Sequence, residues 1–152
     1  MDISTREKNI WIELSLNIVV SAYYFISVYN LSGWTEISGE EIGRIIGNVI
    51  VFAILGTIIL HILFIRGTKE ENKDERDKAI EAKGNAFAYY VLVVLCFFLI
   101  GHIMLNEGIK DIFPRREIPV TGPLIIHFIF FALLISTSIK SIVQIICYRK
   151  DY

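Results

Sequence analysis

The chain has 152 residues, 54% of them hydrophobic, with a net charge of −1 and a mean hydropathy of +0.55. So large an apolar share leaves too little polar surface for a soluble domain of this size and calls for lipid. The charged residues collect at the N-terminus, in two connecting segments and at the C-terminus, the pattern of membrane spans separated by wet loops.

Taken in chain order, Met1 to Lys8 carries no net charge, and the apolar run that follows is too long for a signal-peptide core and lacks a small-residue cleavage site. It is therefore expected to be a retained first span, from about Ile10 to Tyr29. The second span is expected from about Ile42 to Ile65 and the third from about Ala86 to Leu105. The fourth begins near Val120 and ends either at Ile139, already about 20 residues on, or as late as Tyr148. Each must be helical, because a lone run of this length has no other way to satisfy its backbone in hydrocarbon. The expected fold is all-α: a single integral membrane four-helix bundle covering residues 1–152.

Orientation follows from Lys and Arg. Arg6 and Lys8, six cations between Arg66 and Lys83, and Arg149 with Lys150 lie on one side, ten in all. Four, namely Arg44, Lys110, Arg115 and Arg116, lie on the other. The imbalance predicts a cytoplasmic N-terminus, central loop and C-terminus, in a cell membrane of the prokaryotic plasma-membrane kind. Trp11, Tyr89, Tyr90 and Tyr148 fall at one interface, and Tyr23, Tyr24, Tyr29 and Trp34 near the other, as aromatic belts do.

The central loop, RGTKEENKDERDKAIEAKGNAFAYY, is the most distinctive stretch. Beyond Gly67 and Thr68 it is rich in helix formers, and Lys73 with Asp77 and Asp74 with Lys78 are opposite charges at i,i+4. The third helix is thus expected to start in the cytoplasm from about residue 70. There Asp74, Glu75, Arg76, Asp77 and Lys83 form either a solvated helix start or a partner-binding surface. The run Asp74-Glu75-Arg76-Asp77, followed by Ile80, Lys83-Gly84 and the apolar span from Ala86, resembles the signature of small, uncharacterised four-helix prokaryotic membrane proteins of the DUF2178 kind. That resemblance implies a fold and a membrane location rather than an activity. It also implies work beside small DNA-binding regulators, with no direct nucleic-acid contact.

Ionisable residues within spans are costly and mark either snorkelling or function. Glu13 sits about 5 Å past Ile10 along the helix, within reach of headgroups. Lys140 is a snorkelling anchor, the start of an interfacial amphipathic segment, or part of a polar cluster. Ser136, Lys140 and Gln144 recur every four residues and share a helix face, so a cluster of Glu13, Asn17, His61, Lys140 and Gln144 is a candidate relay or interhelical glue.

His102 and His127 fall at similar depth and could face each other as haem or metal ligands, but two ligands alone make a weak site. Cys96 and Cys147 read as buried thiols. Gly43-x-x-x-Gly47, with Gly56 beyond it, is a small-residue pattern compatible with homo-oligomerisation. The segment with Pro114, Pro119 and Pro123, preceded by Ile109, Ile112 and Phe113 at helical spacing, is compatible with a short re-entrant or surface-lying turn. Nothing in the chain matches a nucleophile with its base, a phosphate loop or a metal motif, so no cofactor and no enzymatic activity are expected. The expected function is that of an accessory or regulatory membrane protein acting through a cytoplasmic or membrane partner. The alternatives are an oligomeric transporter or ion conductor and, third, a haem or metal protein.

Overall fold

A computed structural model describes residues 4–31, 38–64, 74–112 and 121–150, and all four described segments are helical. They are α1 (Thr5–Leu31), α2 (Gly39–Phe64), α3 (Glu75–Ile112) and α4 (Gly122–Arg149). Each is long and apolar enough to cross a membrane. The expected helix start at residues 70–73 and the proline-containing turn at 113–120 lie outside the described residues.

Every helix opens on a polar residue whose side chain satisfies a backbone N–H three positions on. Ser4 Oγ accepts from Glu7 N at 3.1 Å, and Thr121 Oγ1 from Leu124 N at 3.4 Å with Pro123 in the first turn. Ser38 and Glu41 cap each other reciprocally, Ser38 Oγ accepting from Glu41 N at 3.2 Å and Glu41 Oε2 from Ser38 N at 3.1 Å. Asp74 and Asp77 repeat the arrangement, with Asp74 Oδ1 accepting from Asp77 N at 2.7 Å and Asp77 Oδ2 from Asp74 N at 3.3 Å. Such caps satisfy amide groups that the first turn leaves without helical partners.

The helices pack in the order α3, α4, α1, α2, with α2 touching α4 only briefly. Among the described residues α2 and α3 do not pack on each other, so the bundle is open along that side. The apolar core lies away from the terminal end, where Val20, Tyr24 and Val28 of α1 meet Ile42, Ile45 and Val49 of α2, with Phe130 and Leu134 of α4 against them. Beyond Val49 the burial of α2 fades, and from Thr57 to Phe64 only Leu60 is half-buried.

In lipid the apolar effect does little to join helices, so close packing and interhelical hydrogen bonds must do it. Asn17 Nδ2 on α1 lies 3.0 Å from Leu134 O, 3.0 Å from Thr137 Oγ1 and 2.7 Å from Ser138 Oγ on α4. Ser136 Oγ donates to Ala88 O at 2.8 Å, tying α4 to α3. A turn away the two helices approach so closely that a Cβ on Gly84 would lie 2.6 Å from Gln144 Cγ, in a buried place. Phe98 stacks on Phe128 at 5.9 Å further along the same antiparallel pair. α3, at 38 residues, is about 57 Å long and outruns the ~30 Å hydrocarbon core.

Gly84→Ala should therefore lower stability by about 1–3 kcal/mol through overpacking against Gln144. Gly43→Ala, whose Cβ would meet nothing within 4 Å, should raise it by about 0.5–1 kcal/mol. Reversible unfolding in mixed micelles reads both signs, and equal effects would contradict the close α3–α4 approach.

Candidate functional site at the terminal end of the bundle

The start of α1, the start of α3 and the end of α4 come together at one end of the molecule. Asp77 is the hub. Its carboxylate accepts from the Arg6 guanidinium on α1 and, at 2.6 Å, from the Tyr148 hydroxyl on α4. The two charged side chains are only 19% and 17% exposed, so the pair is shielded where Coulomb attraction is least screened. On the outer side of this hub, Arg149 Nε donates to Glu7 Oε1 at 3.1 Å. The same guanidinium lies 5.7 Å from the centre of the Trp11 ring, whose Nε1 also donates to Glu7 at 3.3 Å. Arg76 reaches Tyr148 O at 3.5 Å, a long contact at the rim.

The charged run Asp74 to Asp77 thus divides by task. Asp74 caps α3 and Asp77 binds α1 and α4, while Glu75 and Arg76 are exposed on the outer side. Lys83 is exposed two turns further on. Sequence periodicity could not find Arg6 and Tyr148 as the partners of Asp77, because each lies 71 residues from it. The local signal in the chain is the Asp-x-x-Asp spacing of a cap.

Beneath the hub lies a cavity of about 200 Å³ bounded by Arg6, Asn9, Glu13, Asp77, Glu81, Lys140, Gln144 and Tyr148 together with the apolar Ile10 and Ile80. Three members of the expected intramembrane cluster, Glu13, Lys140 and Gln144, meet here. Asn17 joins Glu13 and Lys140 along a second cavity between α1, α2 and α4. His61 borders neither and is exposed on α2. Lys140 sits in an uninterrupted helix, since α4 runs from Gly122 to Arg149.

At the other end of the α1–α4 seam, the buried His127 turns Nδ1 to the Tyr24 hydroxyl, which directs its ring to α1. His102 is half-buried on α3. Among the described residues no group of three or more His, Cys, Asp or Glu side chains could hold a metal ion. Cys147 is buried, whereas Cys96, expected to be buried too, is exposed on the apolar surface of α3. Gly43 and Gly47 meet nothing within 4 Å, so they face outward from α2, whereas Gly56 sits against Leu16.

The two ion pairs differ in worth. A double-mutant cycle of Arg6→Met with Asp77→Asn should give a coupling of about 1–2 kcal/mol, as befits a shielded, three-partner site. The corresponding cycle for Glu7 and Arg149 should give about 0.5 kcal/mol or less, because the Arg149 side chain is 57% exposed. Couplings in the reverse order would remove Asp77 from its central place.

No curated protein and no solved structure matches the chain. A family model described as predicted membrane protein (DUF2178) matches residues 14–152, which takes in the last two thirds of α1, all of α2, α3 and α4, and every residue of the site except Arg6, Glu7, Asn9, Ile10, Trp11 and Glu13. With four membrane-length helices and a match over most of its length, the chain belongs to the DUF2178 family of predicted membrane proteins.

Proposed function

We propose that this membrane protein is an accessory or regulatory component that works through protein contacts, and that its terminal end, on the cytoplasmic side, is the contact surface. The observation that carries this reading is the anchoring of Asp77. By holding the first turn of α3 against α1 and α4, it presents Glu75, Arg76 and Lys78 outward in fixed relative positions. A surface already ordered loses less entropy when a partner docks, and mixed charges select partners by sign. The α1–α4 seam favours contact over conduction within one chain. Between the polar groups at Asn17 and those at Tyr24 it is lined by the apolar side chains of Val20, Phe130 and Leu134, which offer no polar path to an ion.

The division of labour within the charged run dictates the test. Replacing all of Asp74 to Asp77 would strip a helix cap and the hub together with the surface. Glu75→Ala, Arg76→Ala and Lys78→Ala in one variant leave both aspartates in place. Photo-crosslinking probes at Ala79 and Ala82, both exposed on α3, sample the neighbourhood of this surface in cells. Discrete crosslinked partners are expected with the parent surface and should fall at least fivefold in the triple variant. An unchanged partner set would remove the basis for this reading. The sidedness has its own check: green fluorescent protein fused after Tyr152 should fluoresce and alkaline phosphatase fused there should stay inactive, and the opposite pattern would invert the frame.

A further inference from the structure

The polar cavity at the terminal end and the cavity between α1, α2 and α4 share two residues, Glu13 and Lys140. The second cavity, about 360 Å³, is walled mainly by apolar side chains, among them Leu16, Val49, Phe130 and Leu134. It falls within the size range of sites that hold small ligands. It lies where α2 begins to lose its packing. A polar chamber adjoining an apolar one, with lipid at hand, has the shape of a site for an amphiphile.

The charges say which kind. Glu13 stands eight residues into α1 and Lys140 nine residues before the end of α4, so both lie about 12–14 Å from the ends of their helices. Among the described residues neither has a hydrogen-bond or ion-pair partner. Asn9 Oδ1, on the wall of the polar chamber, is buried without a hydrogen-bond partner as well. Beside Arg6, Asp77 and Glu81, which are engaged in interactions of their own, the chamber offers the Lys140 ammonium to a phosphate, and the Glu13 carboxylate with the Asn9 carbonyl oxygen to an N–H donor. Charge-assisted hydrogen bonds of both kinds are satisfied by a headgroup carrying a phosphate and a primary ammonium. A glycerol headgroup has hydroxyls for Glu13 but no positive charge to set against its carboxylate, and a quaternary ammonium has no N–H to give Asn9.

We propose that these adjoining cavities bind one phosphatidylethanolamine molecule, its phosphate at Lys140, its ammonium at Glu13 and Asn9, and one acyl chain against Leu16, Val49 and Phe130. This goes beyond the contact reading above and does not depend on it. Bound there, the lipid closes α2 onto the α1–α4 pair from the terminal side, where side-chain packing is thinnest.

The full chain, purified and stripped of lipid in mild detergent, is to be titrated with phosphatidylethanolamine, phosphatidylglycerol and phosphatidylcholine of identical acyl chains while Tm is followed. Phosphatidylethanolamine should raise Tm by several degrees and by at least twice the shift given by either other lipid. Glu13→Gln should abolish the preference over phosphatidylglycerol, Lys140→Met should abolish the shift, and soluble phosphoethanolamine should give none. Equal shifts with the three lipids, or a preference that survives Glu13→Gln, would overturn the proposal. Native mass spectrometry of the unaltered protein, released from vesicles of equal phosphatidylethanolamine and phosphatidylglycerol, provides a readout independent of variant folding. Bound ethanolamine lipid should exceed glycerol lipid at least threefold, and a ratio equal to that of the vesicle would overturn it.

Discussion

One carboxylate holds the terminal end of this protein together. Asp77 receives Arg6 from α1 and Tyr148 from α4 while its own backbone N–H is capped by Asp74. The constraint behind it is the weakness of apolar attraction between helices in lipid, which leaves polar bonds and close approach to set their relative positions. α3 packs on α4 alone among the described residues, and its link to α1 is carried by the Arg6–Asp77 pair.

The rest of the molecule is organised about the α1–α4 seam, and its two ends are built from different materials. Away from the termini an apolar core joins α1, α2 and α4 around Tyr24 and Val28. Towards the termini α2 drops out, α3 takes its place, and the contacts become ionic and hydrogen-bonded. A packed apolar end and a polar terminal end suit a protein anchored by one and read through the other. The same division leaves a place, at Glu13 and Lys140, where the polar and apolar chambers adjoin.

Much of the architecture is legible in the sequence, because each span must satisfy its own backbone and so declares itself by length and hydropathy. The helix starts are also written locally, as Ser38 with Glu41 and Asp74 with Asp77 show. What the chain does not spell out is which face meets which helix. Asp74 to Asp77 reads as one charged surface, yet Asp77 turns inward to a partner 71 residues away. His127 is equally able, by its depth, to face His102 or another helix, and it meets Tyr24 on α1. His61 falls in the same half of the bundle as Glu13 and Lys140 but is exposed on α2 and borders neither cavity that they line. Non-local pairing of this kind depends on rotation about each helix axis, which apolar runs on all sides of a membrane helix leave undefined.

The role of Asp77 is tested most directly by the distance between α1 and α3 at the terminal end. Spin labels placed at the exposed Lys8 and Lys78 in lipid nanodiscs report it by pulsed electron resonance. A single narrow distance distribution is expected for the parent chain, with a broad one after Asp77→Asn and Arg6→Met. A distribution that stays equally narrow in those variants would contradict the central place of the Asp77 hub.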